Sequence, residues 1–222
     1  MLFDFHTHTF LSDGVLLPIE LIRRGIANGC TAIALTDHVS ASNYESVIDA
    51  LVADCQLAEK HWEIRAIAGV ELTHLPPAVI PEMAALVCER GARLVVVHGE
   101  TPAEPVAPGT NLTAVSCAQV DILAHPGVID LELATLAAQN GVFLELSAHV
   151  GHCLGNGSVA SMARQADALL LVNSDAHEPD EVLTEDFAQR VAAGAGLSEA
   201  EQRQALLRNP EQLLARVDAR GR

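Results

Sequence analysis

Short apolar runs alternate with longer amphipathic segments along most of the chain. The apolar runs predict seven strands, at residues 2–8, 31–38, 64–73, 93–97, 121–127, 142–147 and 168–172. The segments between them predict helices at residues 18–28, 43–60, 80–90, 111–118, 130–139 and 157–165. Apolar strands that alternate with helices are typical of parallel βαβ units, so we predict an α/β fold.

The arrangement of these units favours a barrel. No glycine-rich dinucleotide fingerprint follows the first strand, and seven βα units in sequence favour a closed barrel over an open, doubly wound sheet. The chain after Pro179 is predicted to be helical, with breaks at residues 194–196 and 209–210 and a frayed end at 216–222. No linker or repeat divides the chain, so we predict a single domain spanning residues 1–222.

Composition limits the possible partners and location. The net charge is −16 and Lys60 is the single lysine, which argues against a broad grip on a nucleic-acid backbone. A small anionic substrate would then have to be attracted locally, by bound cations. No apolar run reaches 18 residues and no secretory signal is visible, so we expect no membrane partner. The five cysteines form no CxxC pair, which suggests a reducing, cytoplasmic location.

Metal-type ligands stand at the end of every predicted strand. The polar residues that close the apolar runs are His6, His8, Asp37, His38, Glu71, His98, His125, Glu145, His149, Asp175 and His177. In a parallel barrel these ends form one rim, where active sites are found. Of the ten histidines, His61 and His74 fall outside this pattern and His152 is ambiguous. A single histidine at a strand end is commonly structural, but alignment on all seven strands indicates a shared site.

The residue types point to metal chemistry. Imidazoles and carboxylates together are ligands of zinc, manganese and iron. Glu71, in the middle of the series, could bridge two ions, and a water on such a centre has a lowered pKa. No GxSxG elbow, Walker motif or HExxH is present, so a metal-activated water is the simplest nucleophile.

An ordered set of motifs allows a family to be named. The motifs are Asp4-Phe-His-Thr-His8, Thr36-Asp-His38, Gly69-Val-Glu71, His98, His125-Pro and Ser174-Asp-Ala-His177. Together they resemble the PHP (polymerase and histidinol phosphatase) family over about residues 1–180. The resemblance implies a distorted seven-stranded (β/α)7 TIM-like barrel, two to three divalent metal ions (Zn, Mn or Fe) and phosphoesterase activity. The chain looks like the short, stand-alone members of the family.

The resemblance also implies which residues hold each ion. The three ligand sets it implies are His6, His8, Glu71 and Asp175; Glu71, His98 and His125; and Asp13, His38 and His177. Some family members have histidine where this chain has Asp13, which leaves that ligand open. Catalysis would depend most on Glu71, Asp175 and His177.

A loop after the sixth strand is predicted to meet the substrate. The stretch from His149 to Gly157 resembles a Gly-His…Asn-Gly loop in short members described as histidinol-phosphatase-like. We predict that His149, His152 and Asn156 contact the substrate, at its phosphate. The alternative is a glycine-rich loop in which the asparagine caps a helix.

Several functions fit this site. The first is hydrolysis of a small phosphomonoester, histidinol-phosphate-like or a nucleotide, with nucleic acid involved only as a short substrate. A phosphodiesterase or 3′–5′ exonuclease would use the same metals. A non-catalytic PHP module would be expected to have lost ligands, and no motif residue is missing here. An amidohydrolase would commonly use a carboxylated lysine as the bridge, where this chain has Glu71.

Overall fold

The fold was analysed in a computed structural model, which describes residues 1–220. Eight strands lie within those residues: β1 (Leu2–Asp4), β2 (Cys30–Leu35), β3 (His38–Val39), β4 (Arg65–Leu72), β5 (Leu94–His98), β6 (Ile122–Ala124), β7 (Phe143–Ser147) and β8 (Leu170–Asn173). Seven of them correspond to the predicted strands. The two-residue β3, which directly follows β2, was not separately predicted.

Helices fill the intervals between the strands. Those before β8 are α1 (Pro18–Ala27), α2 (Tyr44–His61), α3 (Ile80–Arg90), α4 (Thr110–Ser116), α5 (Leu131–Asn140) and α6 (Asn156–Ala166). The helices after β8 are α7 (Glu185–Gly194), α8 (Glu199–Arg203) and α9 (Asn209–Arg220). Short 3₁₀ turns occupy Pro77–Val79 and His152–Gly155. The six predicted helices before β8 all form, with ends shifted by two residues or fewer.

The strands are parallel and follow one another around a nearly closed barrel. The order is β1-β2-β4-β5-β6-β7-β8, and β3 extends the β2 side by pairing with β4. The seam between β8 and β1 is closed just beyond the strands, where the amide of Asp175 donates to the carbonyl of His6 (2.8 Å) and the amide of His8 donates to the carbonyl of Ala176 (2.9 Å). The predicted distorted seven-stranded barrel is therefore confirmed, and its seam lies at predicted metal ligands.

Two apolar cores follow from the alternation of side chains along buried strands. The larger core lies between the strands and the helices that surround them. The smaller one fills the barrel, with Phe5, Leu94, Val96 and Phe143 among its fully buried residues.

The C-terminal helix closes the bottom of the barrel. Leu213 and Val217 of α9 are fully buried in the inner core. Arg220 pairs with the buried Asp121, which precedes β6, and Arg216 donates to the carbonyl of Gly141, which precedes β7. The predicted fraying is wrong for residues 216–220, because these contacts hold the helix; residues 221 and 222 lie outside the described part of the chain.

The helical region after β8 differs in part from the prediction. The predicted helix after Pro179 begins only at Glu185, and its predicted break at 194–196 is confirmed between α7 and α8. The predicted break at 209–210 is wrong, because a π-helical turn over Gln204–Arg208 leads directly into α9. Pro210, the second residue of α9, directly follows this π-helical turn and has no N–H to donate to the turn before it. Among residues 1–220, no helix is both long enough and apolar enough to cross a lipid bilayer.

Candidate metal centre

The C-terminal ends of the strands bring all the predicted ligands to one mouth. The side chains that line its cavity are Asp13, His38, His98, Glu104, His125, His149, His152, Asp175 and His177. His6, His8 and Glu71 lie beneath them and are almost completely buried. Within residues 1–220, this lining consists of acids and imidazoles, with no lysine or arginine.

The first ligand group lies at the seam of the barrel. Nε2 of His6 is 3.4 Å from Oε1 of Glu71 and 3.5 Å from Oδ1 of Asp175, and Nε2 of His8 is 3.0 Å from the same Asp175 oxygen. Atoms that share an ion at about 2 Å lie roughly 3 to 4 Å apart. The four side chains predicted to hold one ion are thus placed to do so.

The group around Asp13 is equally compact. Oδ1 of Asp13 is 3.4 Å from Nε2 of His177, and Oδ2 is 3.4 Å from Nε2 of His38. Nδ1 of His8 lies 4.0 Å from Asp13. Asp13, which the sequence alone could not establish as a ligand, is therefore directed at His38 and His177, the two imidazoles of its predicted ligand set.

Glu71 connects these groups with the remaining one. Its Oε2 is 2.7 Å from Nδ1 of His38, and its Oε1 is 3.5 Å from Nε2 of His125. His98 packs beside His125, with ring centroids 4.5 Å apart, and the third imidazole of this cluster is His152. Glu71 therefore lies within reach of imidazoles from all three groups, and its role as a bridge between ions stays a prediction.

The unpaired atoms of the centre fit divalent cations. Seven buried atoms of these residues have no hydrogen-bond partner within residues 1–220: His6 Nε2, His8 Nδ1 and Nε2, Glu71 Oε1 and Oε2, His125 Nδ1 and Asp175 Oδ2. Each buried polar atom without a partner costs roughly 1–3 kcal/mol. Coordination of an ion would satisfy these lone pairs, which explains why so many imidazoles are buried together.

Electrostatics keeps two carboxylate ligands ionised and one imidazole neutral. Burial alone would raise the pKa of Glu71, but the surrounding imidazoles, led by His6 and His38, hold it well below its usual range. The pKa of Asp175 is likewise lowered, because His6 and His8 outweigh the effect of burial. Burial lowers the pKa of His98 to about 4, so this ring is neutral and keeps a lone pair. At His38, by contrast, the opposing effect of burial is outweighed by the nearby carboxylates, led by Glu71, which raise its pKa to about 10, so a cation would have to displace a proton there.

Two buried carboxylates hold the ligand loops without facing the centre. Asp37 accepts hydrogen bonds from the amide of Thr9 (2.8 Å) and the hydroxyl of Ser12 (2.7 Å), which fixes the loop that carries Asp13. Asp4 accepts from the amide of Ser174 (3.0 Å), the residue before Asp175. The sequence motifs contain both acids, but nothing in their spacing revealed this supporting role.

A third carboxylate supports the imidazoles from below. Glu145 is fully buried, and its Oε1 lies 2.9 Å from Nδ1 of His6 and accepts from the side-chain amide of Asn173 (2.8 Å). Its Oε2 accepts from the backbone amide of His125 (3.0 Å). The sequence placed Glu145 among the acids at strand ends. In the structure it contacts His6 and His125 on the side away from the cavity.

The predicted substrate loop divides into two parts. His152 is buried, with its Nδ1 2.8 Å from the Thr101 hydroxyl and its ring stacked 4.1 Å from that of His125. His149 is half-buried, and its ring lies 5.3 Å from that of His177. Both therefore line the mouth, as a substrate contact requires.

Asn156 occupies a different position. Its Oδ1 accepts from the backbone amide of Ser147 (3.1 Å), and its Nδ2 donates to the Ser147 carbonyl (2.8 Å). Both ends of the side-chain amide are engaged with the end of β7, which weighs against the predicted contact with phosphate. Asn156 instead holds the loop that carries His149 and His152.

Two acids at the mouth had no signal in the sequence. Glu104 lies in the proline-rich loop after β5, with its Oε2 3.3 Å from Nε2 of His98. Glu181 accepts from the amide of His177 (2.8 Å) and lies 4.0 Å from Nε2 of His149. Neither acid ends a strand, so the strand-end pattern could not find them.

Two known proteins are similar to this chain over most of its length. Uncharacterized protein MJ1295 of Methanocaldococcus jannaschii is 46% identical over 218 residues, which cover 98% of this chain and 100% of that protein. Probable phosphatase Teth514_1060 of Thermoanaerobacter sp. (strain X514) is 27% identical over 221 residues, covering 90% of this chain and 88% of that protein.

A solved structure shares the fold of this chain, and a family model matches its sequence. A chain of an archaeal ribonuclease P, solved with mature tRNA, superposes with a TM-score of 0.67 at 15% identity, covering 97% of this chain and 90% of that one. The model of the PHP domain matches residues 4–215. With its ligand motifs in order at the mouth of a seven-stranded barrel, the chain belongs to the PHP domain family.

Proposed function

We propose that this protein is a metal-dependent phosphoesterase that hydrolyses a small phosphomonoester, histidinol-phosphate-like or a nucleotide. The observation that carries the proposal is the convergence of nine imidazoles and carboxylates, from all parts of the chain, on one mouth. Two or three divalent ions, of zinc, manganese or iron, fit this donor set.

The assignment of ligands follows the three groups described above. Glu71 lies between them, and Asp175 and His177 join the seam to the Asp13 group, so these three residues would be the least replaceable. When bound, the ions would supply a water of lowered pKa as the nucleophile and positive charge for the phosphoryl oxygens.

The residues of the mouth can orient the phosphate. When the Thr101 hydroxyl donates to Nδ1 of His152, Nε2 carries the proton and can donate to a phosphate oxygen. Burial, with the neighbouring His125, lowers the pKa of His152 to about 4, which favours this neutral form. His149, across the mouth beside His177, is the second candidate donor.

The size and charge of the mouth favour a small substrate. Its cavity holds about 210 Å³, less than the usual volume of a site for a drug-sized molecule, so only a small group fits inside it. The lining of the mouth has no lysine or arginine within residues 1–220, and the net charge is −16, so a longer nucleic acid would be repelled. These observations favour a monoester over a polymeric diester.

A screen for phosphate release tests the proposal. The purified protein, with Mn, Zn or Fe added and bound metal measured, is assayed against phosphorylated metabolites, nucleotides and short dinucleotides. We expect phosphate release from monoesters, and its loss in a Glu71→Gln variant. Cleavage of the dinucleotides alone would replace the proposal with a phosphodiesterase. The absence of any hydrolysis by metal-loaded protein would overturn it in favour of a non-catalytic module.

A further inference from the structure

Two side chains at the mouth, His74 and Glu104, belong to none of the three ligand groups. His74 follows β4, and Glu104 lies in the loop between β5 and α4. Nε2 of His74 is 2.9 Å from Oε2 of Glu104, and the same oxygen is 3.3 Å from Nε2 of His98. The sequence pattern had set His74 aside, but the structure places it at the rim of the centre.

The three atoms have the spacing of a cation site. The donor atoms of His74, Glu104 and His98 all lie within 4.8 Å of one another. Nδ1 of His98 is 3.2 Å from the carbonyl of Gly99, so this nitrogen carries the proton and Nε2 keeps its lone pair toward Glu104. Two imidazole nitrogens and a carboxylate oxygen are a zinc-type ligand set that leaves a position for water.

The backbone at His74 gives independent support. Four non-glycine residues among residues 1–220 have positive φ, and two of them, His125 and Asp175, are predicted metal ligands. His74 is a third, with φ of 51°, in the left-handed region that costs a non-glycine residue about 1 kcal/mol or more. Such backbone strain is concentrated at functional sites, and here it recurs at residues around one mouth.

Thr73, the residue before His74, helps to explain where the left-handed backbone directs the His74 side chain. The hydroxyl of Thr73 lies 2.6 Å from Nδ1 of His38, so the end of β4 is tied to the centre. The left-handed turn at the next residue then brings His74 beside His98, with ring centroids 4.8 Å apart.

We propose that His74, Glu104 and His98 form a rim site for a further divalent transition-metal ion, such as Zn²⁺, distinct from the ions of the three groups. Because His98 is shared with the central cluster, the rim site fills only when the ion is in excess. Its occupation ties the neighbouring loops after β4 and β5 together at one side of the mouth and draws His98 away from His125. Excess zinc therefore inhibits the enzyme, a consequence that rests on the proposed function, whereas the binding does not.

The test compares zinc binding by two matched histidine variants. His74→Asn removes the imidazole and retains a residue that tolerates a left-handed backbone, so the fold should be kept. His61→Asn, at the exposed end of α2, is the control. Each protein is saturated with zinc at its tight sites and then dialysed against increasing free Zn²⁺, and bound zinc is counted by mass spectrometry.

We expect one additional, weaker zinc ion per chain in the wild type and in His61→Asn, with affinity at least about tenfold lower in His74→Asn. Where phosphate release is measurable, the zinc concentration that halves the rate should rise by a similar factor in His74→Asn alone. Equal binding curves for all three proteins would overturn the rim site. If no protein hydrolyses phosphate, the dialysis still decides the rim site, so its failure is distinguishable from that of the proposed function.

Discussion

Nδ1 of His6 lies 2.9 Å from Oε1 of Glu145, and both side chains are fully buried. With Nδ1 donating to this carboxylate, Nε2 of His6 is left as the lone pair that faces Glu71 and Asp175. The pKa of Glu145 would be raised by burial, but His6 lowers it overall, so the acceptor stays ionised. Glu145 thus sets which nitrogen of His6 is available to an ion.

This relationship predicts the effect of Glu145→Gln. The amide keeps the size of the side chain, but one of its two ends becomes a donor, so it cannot accept from all three groups that now donate to Glu145. We expect metal affinity to fall by about 10–100-fold, with most of the activity recovered at saturating metal. The measurement is activity and bound metal against free metal concentration. Glu132→Gln, on the exposed first turn of α5, is the control, and an unchanged metal affinity in Glu145→Gln would contradict the prediction.

Substitution of Asp13 and substitution of Glu71 should have different effects on the number of bound ions and on kcat. Asp13 lies nearest to His38 and His177, at 3.4 Å from each, and farther from His8, at 4.0 Å, so Asp13→Asn should bind one ion fewer per chain and keep the others. Glu71 touches all three groups, so Glu71→Gln should disturb every ion and lower kcat about a thousandfold or more, as expected for a loss of several kcal/mol. Metal counting and steady-state kinetics on both variants check this. Equal ion counts in the two variants would show that the groups are not separate.

Ion removal should destabilise the whole barrel, because the centre lies at its seam. The amide of Asp175 and the carbonyl of His6 join β8 to β1, and both residues are predicted ligands. An ion at about 100 times its dissociation constant contributes about 2.7 kcal/mol. For a chain of this size that is roughly 5–10 °C in Tm for each ion.

Thermal unfolding before and after treatment with EDTA measures this shift. Re-addition of Mn²⁺ or Zn²⁺ should restore Tm, whereas Ca²⁺, which prefers an all-oxygen ligand set, should not. A Tm that EDTA leaves unchanged, in protein shown to have lost its metal, would contradict the coupling between the centre and the seam.

The sequence predicted the candidate metal ligands more completely than the residues that hold those ligands in place. His6 and His8 could be placed on one side because residues two apart on an extended strand share a face, and the parallel barrel then gathered the other strand ends. Glu104 and Glu181 lie on loops, whose course depends on packing that no periodicity records. For Asn156 the sequence motif predicted a contact with the substrate, whereas in the structure its side-chain amide is hydrogen-bonded to the backbone of Ser147.

The C-terminal helix was underestimated for a related reason. Fraying at residues 216–222 was expected because chain ends usually lack partners. The partners of Arg216 and Arg220 lie about 75 and 100 residues earlier in the chain, at Gly141 and Asp121, which a local reading of the sequence could not connect. The alternation of Leu213 and Val217 with charged residues was the available signal, since four residues apart is one face of a helix.

Leu213→Ala should show how much this helix contributes to the barrel. Leu213 is fully buried in the inner core, so its truncation leaves a cavity and should cost about 2–5 kcal/mol of unfolding free energy. Gln212→Ala, on the exposed face of the same helix, should change stability by less than about 0.5 kcal/mol. Urea unfolding of both metal-loaded variants provides the comparison. Because α9 lies at the opposite end of the barrel from the mouth, Leu213→Ala should bind the same number of ions as the wild type under native conditions; a lost ion would mean that the bottom and the mouth of the barrel are coupled.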